Sequence, residues 1–253
     1  MKSMFVSGAA SGIGRATALV FAERGFRVGC YDIDVEGARS VAEEIHGKKP
    51  DARPSYGRLD VTNAGSWKGA LDDFGTELDV LFNCAGVLRM GFFEDIPAVE
   101  CQRQLDVNVM GIVHGIQASL PRLEANGSAV IVNMSSASAI YGQPELAVYS
   151  ATKFAVRALT EALDVELRRK KVRICDIMPS YVDTPMVRTQ THVPKSLERL
   201  GVKLSAEDVA EVVWKAVHGT QLHYVPQTEV SLMARASGIF PELSRRVMRR
   251  LSS

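Results

Sequence analysis

The 253-residue sequence has almost no net charge, no long apolar run and only four cysteines. A formal charge of +1 at pH 7 argues against a protein that binds nucleic acid through a basic surface. No apolar run reaches the roughly 18 residues of a membrane-spanning helix. Glycines appear too early at the N-terminus for the apolar core of a secretory signal, so we expect no signal peptide either.

The cysteines form no C-x-x-C pair, and none has a histidine nearby in sequence. They are Cys30, Cys84, Cys101 and Cys175. Wide spacing of this kind predicts free, buried thiols in a reducing compartment rather than disulfides or a zinc site. We therefore predict a cytoplasmic protein without a metal site.

Short apolar runs alternate along the chain with longer stretches whose apolar residues recur three and four positions apart. The runs predict strands at 4–6, 27–31, 80–82, 129–132, 172–177 and 223–225. The longer stretches predict helices at 16–24, 36–46 and 156–169, and one that starts after Ser205. With no repeat or linker, this order predicts one α/β domain, a doubly wound parallel sheet with helices on both faces.

The segment SGAASGIG, residues 7–14, lies between the first predicted strand and the first predicted helix. Alone, its glycines indicate either a tight turn or a loop that lets a phosphate approach the N-terminus of the helix. Asp32 favours the second interpretation, because an acid about 20 residues beyond such a loop accepts hydrogen bonds from the ribose of a dinucleotide. A strand-end turn or a helix cap is the other role open to Asp32.

The same carboxylate predicts NAD rather than NADP as the cofactor. Two unit charges about 4 Å apart repel by roughly 4 kcal/mol at an effective dielectric constant near 20, which disfavours a 2′-phosphate beside Asp32. No lysine or arginine precedes Gly14 within the loop, and Ile33 rather than arginine follows Asp32. Arg15 is the one cation close by in sequence, and it weakens this argument.

Tyr149 and Lys153 form a candidate catalytic pair, because residues four apart lie on one face of a helix. A phenol with a pKa near 10 becomes a base at neutral pH only if its phenolate is stabilised by roughly 3–4 kcal/mol. A neighbouring ammonium, helped by an oxidised nicotinamide, can supply that. Upstream, a predicted strand ends in Ser135 and Ser136, where a serine can hydrogen-bond a substrate carbonyl. Capping a turn is the favoured role for Ser135 and Ser138.

Six motifs in this order resemble the short-chain dehydrogenase/reductase family over residues 1 to about 186. They are the glycines Gly8, Gly12 and Gly14, L-D-V-T at 59–62, N-C-A-G at 83–86, Asn108 within 107–111, the Tyr149 and Lys153 pair, and the segment 178–185. The family's catalytic serine lies 13 positions before its tyrosine, which selects Ser136. Ser7, Cys84 and Ser180 depart from the family's usual residues, and Ser180 implies a tighter or shifted turn beside the nicotinamide.

The resemblance implies a Rossmann-type fold and an NAD-dependent oxidoreductase that moves a hydride between nicotinamide and a secondary alcohol or ketone. Tyr149 is then the general acid/base, Lys153 lowers its pKa, Ser136 positions the substrate oxygen, and Asn108 supports the proton path. Ser136 and Tyr149 are the implied substrate-binding residues. The implied cofactor-binding residues are Gly8, Ser11, Gly12, Ile13, Gly14, Asp32, Ile33, Asp60, Val61, Asn83, Ala85, Gly86, Tyr149, Lys153, Pro179, Val182 and Thr184.

Two other functions fit the same loop. One is a non-catalytic NAD(H)-sensing regulator on the same fold, against which the intact set Ser136, Tyr149, Lys153 and Asn108 argues. The other is a sugar-nucleotide epimerase or dehydratase, whose chains are usually longer and whose glycine spacing differs. We therefore favour the alcohol oxidoreductase and keep the regulator as the alternative.

The last third of the chain bears on substrate and partners. The irregular stretch 180–204 predicts a substrate lid at 185–204, with a plain surface insertion as the alternative. Tyr141, Tyr181 and Met186 are expected to line an apolar pocket suited to a hydrophobic alcohol or ketone rather than a sugar. The tail 239–253 predicts a helix docked on its own domain, with membrane contact as the alternative. The resemblance implies a homodimer or homotetramer formed through the helix that carries Tyr149.

Overall fold

The computed structural model describes residues 1–228 and Val230. The predicted C-terminal helix at 239–253 lies outside the described residues. Within them the strands β1 to β9 are Ser3–Ser7, Arg27–Asp32, Ser55–Arg58, Val80–Asn83, Ala129–Met134, Val172–Ile177, Val182–Asp183, Leu204–Ser205 and His223–Tyr224. The helices α1 to α9 are Gly12–Glu23, Val35–Lys48, Ala64–Phe74, Ala98–Leu105, Gly111–Asn126, Ala147–Leu167, Pro185–Arg188, Lys195–Leu200 and Ala206–His218.

Seven of these strands form one parallel sheet in the order β3-β2-β1-β4-β5-β6-β9. The chain extends the sheet from β1 towards β3 in one direction and then from β4 towards β9 in the other. This reversal leaves a crevice beyond the carboxyl ends of β1 and β4, which is where ligands bind in open α/β sheets. The predicted doubly wound parallel sheet is therefore confirmed.

The sheet is buried on both faces, which explains why its central strands are continuous apolar runs. On one face Met4 of β1 belongs to a core that includes Phe21 of α1 and Val209 of α9. On the other face the next residue, Phe5, belongs to a second core that includes Trp67 of α3. The ring of Phe5 stacks on that of Tyr31 with centroids 4.5 Å apart. The sheet thus holds the glycine loop and the strand ends on a rigid support.

All six predicted strands are present, but three others escaped prediction. β3 alternates between half-buried and exposed residues and contains Gly57, so it lacks an apolar run. β7 and β8 are only two residues each and pair with one another outside the main sheet. The helix predicted at 156–169 begins earlier, at Ala147. Its first two turns therefore carry Tyr149 and Lys153.

The predicted helix start at Ser205 is confirmed as a reciprocal cap. The hydroxyl of Ser205 accepts a hydrogen bond from the main-chain nitrogen of Asp208 at 3.1 Å. The Asp208 carboxylate in turn accepts one from the main-chain nitrogen of Ser205 at 2.9 Å. Such a box satisfies two N–H groups that the first turn of a helix leaves unpaired.

The segment predicted as an irregular lid is largely ordered into short elements. It holds α7, α8 and the start of the strand β8, which pairs with β7 and so joins the far end of the segment to the residues just before its start. His192 pairs with the carboxylate of Glu145, and the side chain of Gln190 bonds both the carbonyl of Leu88 and the nitrogen of Met90 at 3.1 Å. These contacts hold the segment against two neighbouring loops.

All four cysteines are free, and Cys30 and Cys175 are buried. Burial raises the pKa of both thiols to about 12, so they stay protonated at neutral pH. None of the helices in the described part of the chain has both the length and the apolar character needed to cross a membrane. The cytoplasmic location stays a prediction.

Candidate active site

A cavity of about 540 Å³ opens at the carboxyl edge of the sheet, beside the reversal between β1 and β4. It brings together most of the predicted site residues, which come from distant parts of the chain. Those that line it are Gly8, Ser11, Gly12, Ile13, Gly14, Asp32, Ile33, Asp60, Val61, Ala85, Gly86, Ser136, Tyr149, Lys153, Pro179, Val182 and Thr184. One cavity is therefore lined by the residues predicted for the cofactor and by three of those predicted for catalysis.

The glycine loop lies where side chains cannot fit. Gly8 has φ +76°, and a Cβ there would lie 2.7 Å from the main-chain nitrogen of Ala85. A Cβ on Gly14 would lie 2.0 Å from the carbonyl oxygen of Gly8. Gly8 is therefore required by its close approach to the segment after β4, and Gly14 by packing within the loop itself. The loop leads directly into α1, whose first residues line the cavity and whose N-terminus has no side-chain cap, as suits a phosphate cradle.

Asp32 ends β2 at the edge of the cavity and is held by two main-chain donors. One carboxylate oxygen accepts a hydrogen bond from the nitrogen of Ala10 in the glycine loop, and the other accepts one from the nitrogen of Asp34, both at 3.0 Å. A carboxylate oxygen has two lone pairs, so each retains capacity for a further donor. The residues present thus fit a dinucleotide, with the loop for its phosphates and Asp32 for its ribose.

Arg15, the cation that weakened the NAD prediction, forms an ion pair with a residue of α2. Arg15 lies 2.5 Å from the carboxylate of Glu44 on α2. The sequence analysis missed another cation, Arg58, which pairs in register with Asp32 and donates to the carbonyl of Ile33 at 3.4 Å. Arg58 does not line the cavity.

The other part of the cavity wall contains Ser136, Tyr149 and Lys153. The Ser136 hydroxyl acts on that of Tyr149 and favours the phenolate. The Ser136 hydroxyl also accepts a bond from the nitrogen of Ser138 at 3.1 Å. Lys153 is buried, and its ammonium donates to the carbonyl of Met134 at 2.8 Å and lies 5.5 Å from the centre of the Tyr149 ring. The helix start at Ala147 creates this arrangement.

The electrostatics of the pair differ from the expectation drawn from sequence. Burial raises the pKa of Tyr149 to about 12, and the Ser136 hydroxyl offsets only part of this. Burial lowers the pKa of Lys153 to about 8. The protein's own groups therefore keep Tyr149 protonated at neutral pH, instead of lowering its pKa as expected. The protonated phenol is the form that can donate a proton to a ketone.

Two predicted residues lie behind the cavity wall. Asn108, in a short π-helical turn, bonds both main-chain groups of Val87 at 2.8 and 2.9 Å and the hydroxyl of Thr152 at 3.2 Å. Asn83 is buried, and its amide donates to Asn133 at 2.9 Å. Both side chains therefore support the segments that line the cavity and do not line it themselves.

The substrate side of the cavity is mainly apolar. Tyr181 and Met186 line it as expected, whereas Tyr141 does not. The sequence analysis missed several lining residues, for which no local pattern exists: Leu88, Met90, Arg103, Gln143, Leu146, Val187, Leu200 and Val230. Pro185, Met186, Val187 and Leu200 come from the predicted lid, while its His192 and Arg188 do not reach the cavity. The lid thus contributes apolar side chains.

The departure at Ser180 has a structural counterpart. The main-chain nitrogen of Ser180 donates to the side-chain oxygen of Gln227 at 3.2 Å, and the Gln227 amide donates to the Ser180 hydroxyl at 2.6 Å. This two-point contact satisfies the extra hydroxyl and fixes the turn after Pro179. The segment after β9 is therefore hydrogen-bonded to the loop that carries Val182 and Thr184, and stabilises it.

Comparison with known sequences agrees with these features. The sequence profile of the short chain dehydrogenases matches residues 2–194. The chain belongs to the short-chain dehydrogenase family. A 3-alpha-(or 20-beta)-hydroxysteroid dehydrogenase of Mycobacterium tuberculosis is 36% identical over 211 residues, covering 82% of this chain and 78% of the relative. A 2,5-dichloro-2,5-cyclohexadiene-1,4-diol dehydrogenase of Sphingobium indicum is 36% identical over 189 residues, covering 73% and 74%.

Solved structures agree as well. A short chain dehydrogenase/reductase from Burkholderia phymatum, crystallised with NAD, has a TM-score of 0.85 and 28% identity, and the match covers 96% of this chain and 94% of that one. Other matched structures hold NADH or NADP. The fold and the oxidoreductase family follow from these matches.

Proposed function

We propose that this protein is an NAD-dependent oxidoreductase that interconverts hydrophobic secondary alcohols and ketones, with Tyr149 as its general acid/base. The observation that carries the proposal is that Ser136, Tyr149 and Lys153 line the same cavity as the glycine loop and Asp32. A site that only sensed the cofactor has no use for a partly buried phenol with an ammonium 5.5 Å from its ring centre. The matched relatives offer no support for the regulatory alternative.

In this proposal the substrate oxygen binds between the hydroxyls of Ser136 and Tyr149. A bound nicotinamide cofactor would supply the chemistry of hydride transfer to or from the substrate carbon. In reduction, Tyr149 donates its proton to the carbonyl oxygen as the ketone becomes an alcohol. In oxidation, the Tyr149 phenolate takes that proton back. Ser136 donates a hydrogen bond to the developing oxyanion in both directions.

The raised pKa of Tyr149 has a direct consequence for the two directions. The phenol is already protonated for reduction at neutral pH, whereas oxidation needs the phenolate. Each unit by which the pKa must fall corresponds to about 1.4 kcal/mol of preferential stabilisation of the phenolate. Lys153, protonated below its own pKa of about 8, is the protein's cation for that purpose.

The apolar substrate wall supports a hydrophobic alicyclic substrate. Leu88, Met90, Leu146, Met186 and Val187 supply side chains that gain nothing from the many hydroxyls of a sugar. The two curated relatives described above act on a steroid and on a cyclohexadiene diol by their names. We therefore propose a ring-containing secondary alcohol or its ketone as the substrate class.

The test is an absorbance assay for NADH formation with a panel of secondary alcohols, and for NADH consumption with the matching ketones. Steroid and cyclohexyl alcohols are expected to be turned over, and sugar alcohols are not. Binding of NAD, followed by calorimetry, without turnover of any member of the panel would favour the regulator over the enzyme.

The preference for NAD can be tested at Asp32. Asp32→Ala is expected to lower the ratio of kcat/KM with NAD to kcat/KM with NADP by about 10- to 100-fold, because the repulsion of a 2′-phosphate is removed. The measurement is a pair of cofactor titrations at one saturating alcohol concentration. Asp34→Ala is the matched control, since Asp34 caps α2 through the nitrogen of Gly37 at 3.0 Å and does not line the cavity. An unchanged ratio in Asp32→Ala would count against Asp32 as the selector.

We also propose that the protein forms a homodimer or homotetramer. Support comes from α4 and α6, which pack beside one another and expose large apolar side chains. Val99 of α4 is 72% exposed, and Phe154 and Val165 of α6 are 40% and 69% exposed. Burying these side chains against a second copy would remove them from water.

A further inference from the structure

Gln143 places an amide within the apolar substrate side of the cavity. Its main-chain nitrogen donates to the hydroxyl of Ser150 at 3.0 Å, which ties the loop to the first turn of α6 beside Tyr149. The neighbouring wall is the apolar cluster of Met90, Leu146 and Tyr181. The Gln143 side chain is only partly buried and lines the cavity, so a ligand can reach it.

A short chain of hydrogen bonds fixes which end of the amide is free. The hydroxyl of Tyr181 lies 2.8 Å from that of Ser196 on α8 and donates to the side-chain oxygen of Gln143 at 3.3 Å. Because a phenol has one proton, Ser196 must then donate to Tyr181. The amide oxygen of Gln143 is thus engaged. Its NH₂ group has no acceptor among the residues that the structure describes.

The other polar groups near this wall are already paired. Ser138 bonds Ser136, and Ser180 bonds Gln227. Glu145 and His192 pair with one another outside the cavity lining. The remaining cation in the lining, Arg103, is largely exposed, with 62% of its side chain accessible. Gln143 is therefore the neutral donor that this wall offers to a substrate.

We propose that the Gln143 amide donates a hydrogen bond to a second oxygen of the substrate and so makes this enzyme select ring alcohols that carry two oxygen functions over those that carry one. The inference rests on the proposed function and names its substrate class more narrowly. A donor held by Tyr181 and Ser196 in an apolar wall costs little to align when an acceptor binds. A substrate without the acceptor leaves the donor facing apolar atoms, which lowers its kcat/KM.

The experiment compares matched pairs that differ by one oxygen. Cyclohexanol and cyclohexane-1,4-diol form one pair, and 5α-androstan-3α-ol and 3α-hydroxy-5α-androstan-17-one form the other. The quantity is the ratio of kcat/KM within each pair for the full-length protein and for Gln143→Leu and Gln143→Glu. Leucine removes all polar contacts of the side chain, whereas an ionised glutamate keeps an acceptor for Tyr181 and has no donor. Arg103→Met is the control for the other donor in the lining.

We expect the wild type to prefer the two-oxygen member of at least one pair by about 10- to 100-fold, mainly through KM, and both Gln143 variants to lose about tenfold or more of that preference. Arg103→Met is expected to keep it. Any of three results overturns the proposal. The wild type shows no preference in either pair, the preference survives in Gln143→Glu, or the preference is lost in Arg103→Met.

A binding measurement distinguishes a failure of this proposal from a failure of the proposed function. If the wild type turns over none of these compounds, calorimetry with the ketones 4-hydroxycyclohexanone and cyclohexanone, in the presence of NADH, gives the same ratio as dissociation constants. A wild type that turns over nothing contradicts the proposed function. The binding ratio of wild type to Gln143→Leu then still decides the role of the amide, and equal ratios reject it.

Discussion

Replacing Tyr149 with phenylalanine is expected to lower turnover by about 10²- to 10⁴-fold, the usual contribution of a positioned general acid/base. The change removes the oxygen that is proposed to exchange a proton with the substrate, and leaves the ring and the cofactor side of the cavity in place. NAD affinity is therefore expected to stay within about threefold of the wild type. Steady-state kinetics and a calorimetric titration with NAD measure the two quantities.

Tyr141→Phe is the matched control for this prediction. It removes the same hydroxyl eight positions away, from a residue that does not line the cavity. Its turnover is expected to equal that of the wild type. Retained turnover in Tyr149→Phe, or lost NAD binding with turnover preserved, would contradict the assignment of Tyr149 as the acid/base.

The features that sequence predicted well depend on local patterns. The apolar runs identify β1, β2, β4, β5 and β6 because strands buried on both faces need apolar residues at every position. The glycine spacing is equally local, since Gly8 and Gly14 pack against one another within a single loop. In both cases the pattern lies within a short stretch of the chain, and a single sequence reveals it.

The features that sequence did not predict depend on contacts between distant residues. Whether Arg15 faces the cofactor is decided by Glu44, 29 residues further on. The substrate wall combines Leu88, Gln143 and Leu200, which share no motif and meet only through tertiary packing. The pKa of Tyr149 rises because the residue is buried, and a spacing of four to Lys153 cannot reveal that. Substrate specificity lies in this second group of features.

Within the glycine loop, Gly14 is the position where one added methyl group is expected to do most harm. The Cβ of Gly14→Ala would lie 2.0 Å from the carbonyl oxygen and 2.8 Å from the carbonyl carbon of Gly8, and 3.2 Å from the Cα of Ala9. These are main-chain atoms, so neither a rotamer change nor a small adjustment relieves the clash. The loop must move away from the start of α1, which separates the groups that would hold the phosphates.

We expect Gly14→Ala to weaken NAD binding by at least about 100-fold, since losing two charge-assisted hydrogen bonds of about 1.5–3 kcal/mol each is sufficient for that. Overpacking is also expected to lower the free energy of unfolding by about 1–3 kcal/mol. Calorimetric titration with NAD and thermal unfolding measure these effects separately.

The control for Gly14→Ala is the same substitution in helices remote from the cavity. A Cβ on Gly47 in α2 or on Gly69 in α3 would meet no atom within 4 Å, so alanine adds a methyl group to open space there. Both variants are expected to bind NAD as the wild type does and to be more stable by about 0.4–1 kcal/mol, because alanine reduces the entropy of the unfolded chain. If Gly14→Ala behaves like these two, the close approach of Gly14 to Gly8 is not what shapes the cofactor loop. If it alone loses NAD, the glycine spacing is a requirement of backbone packing at the phosphate site, and no side chain at Gly14 can satisfy it.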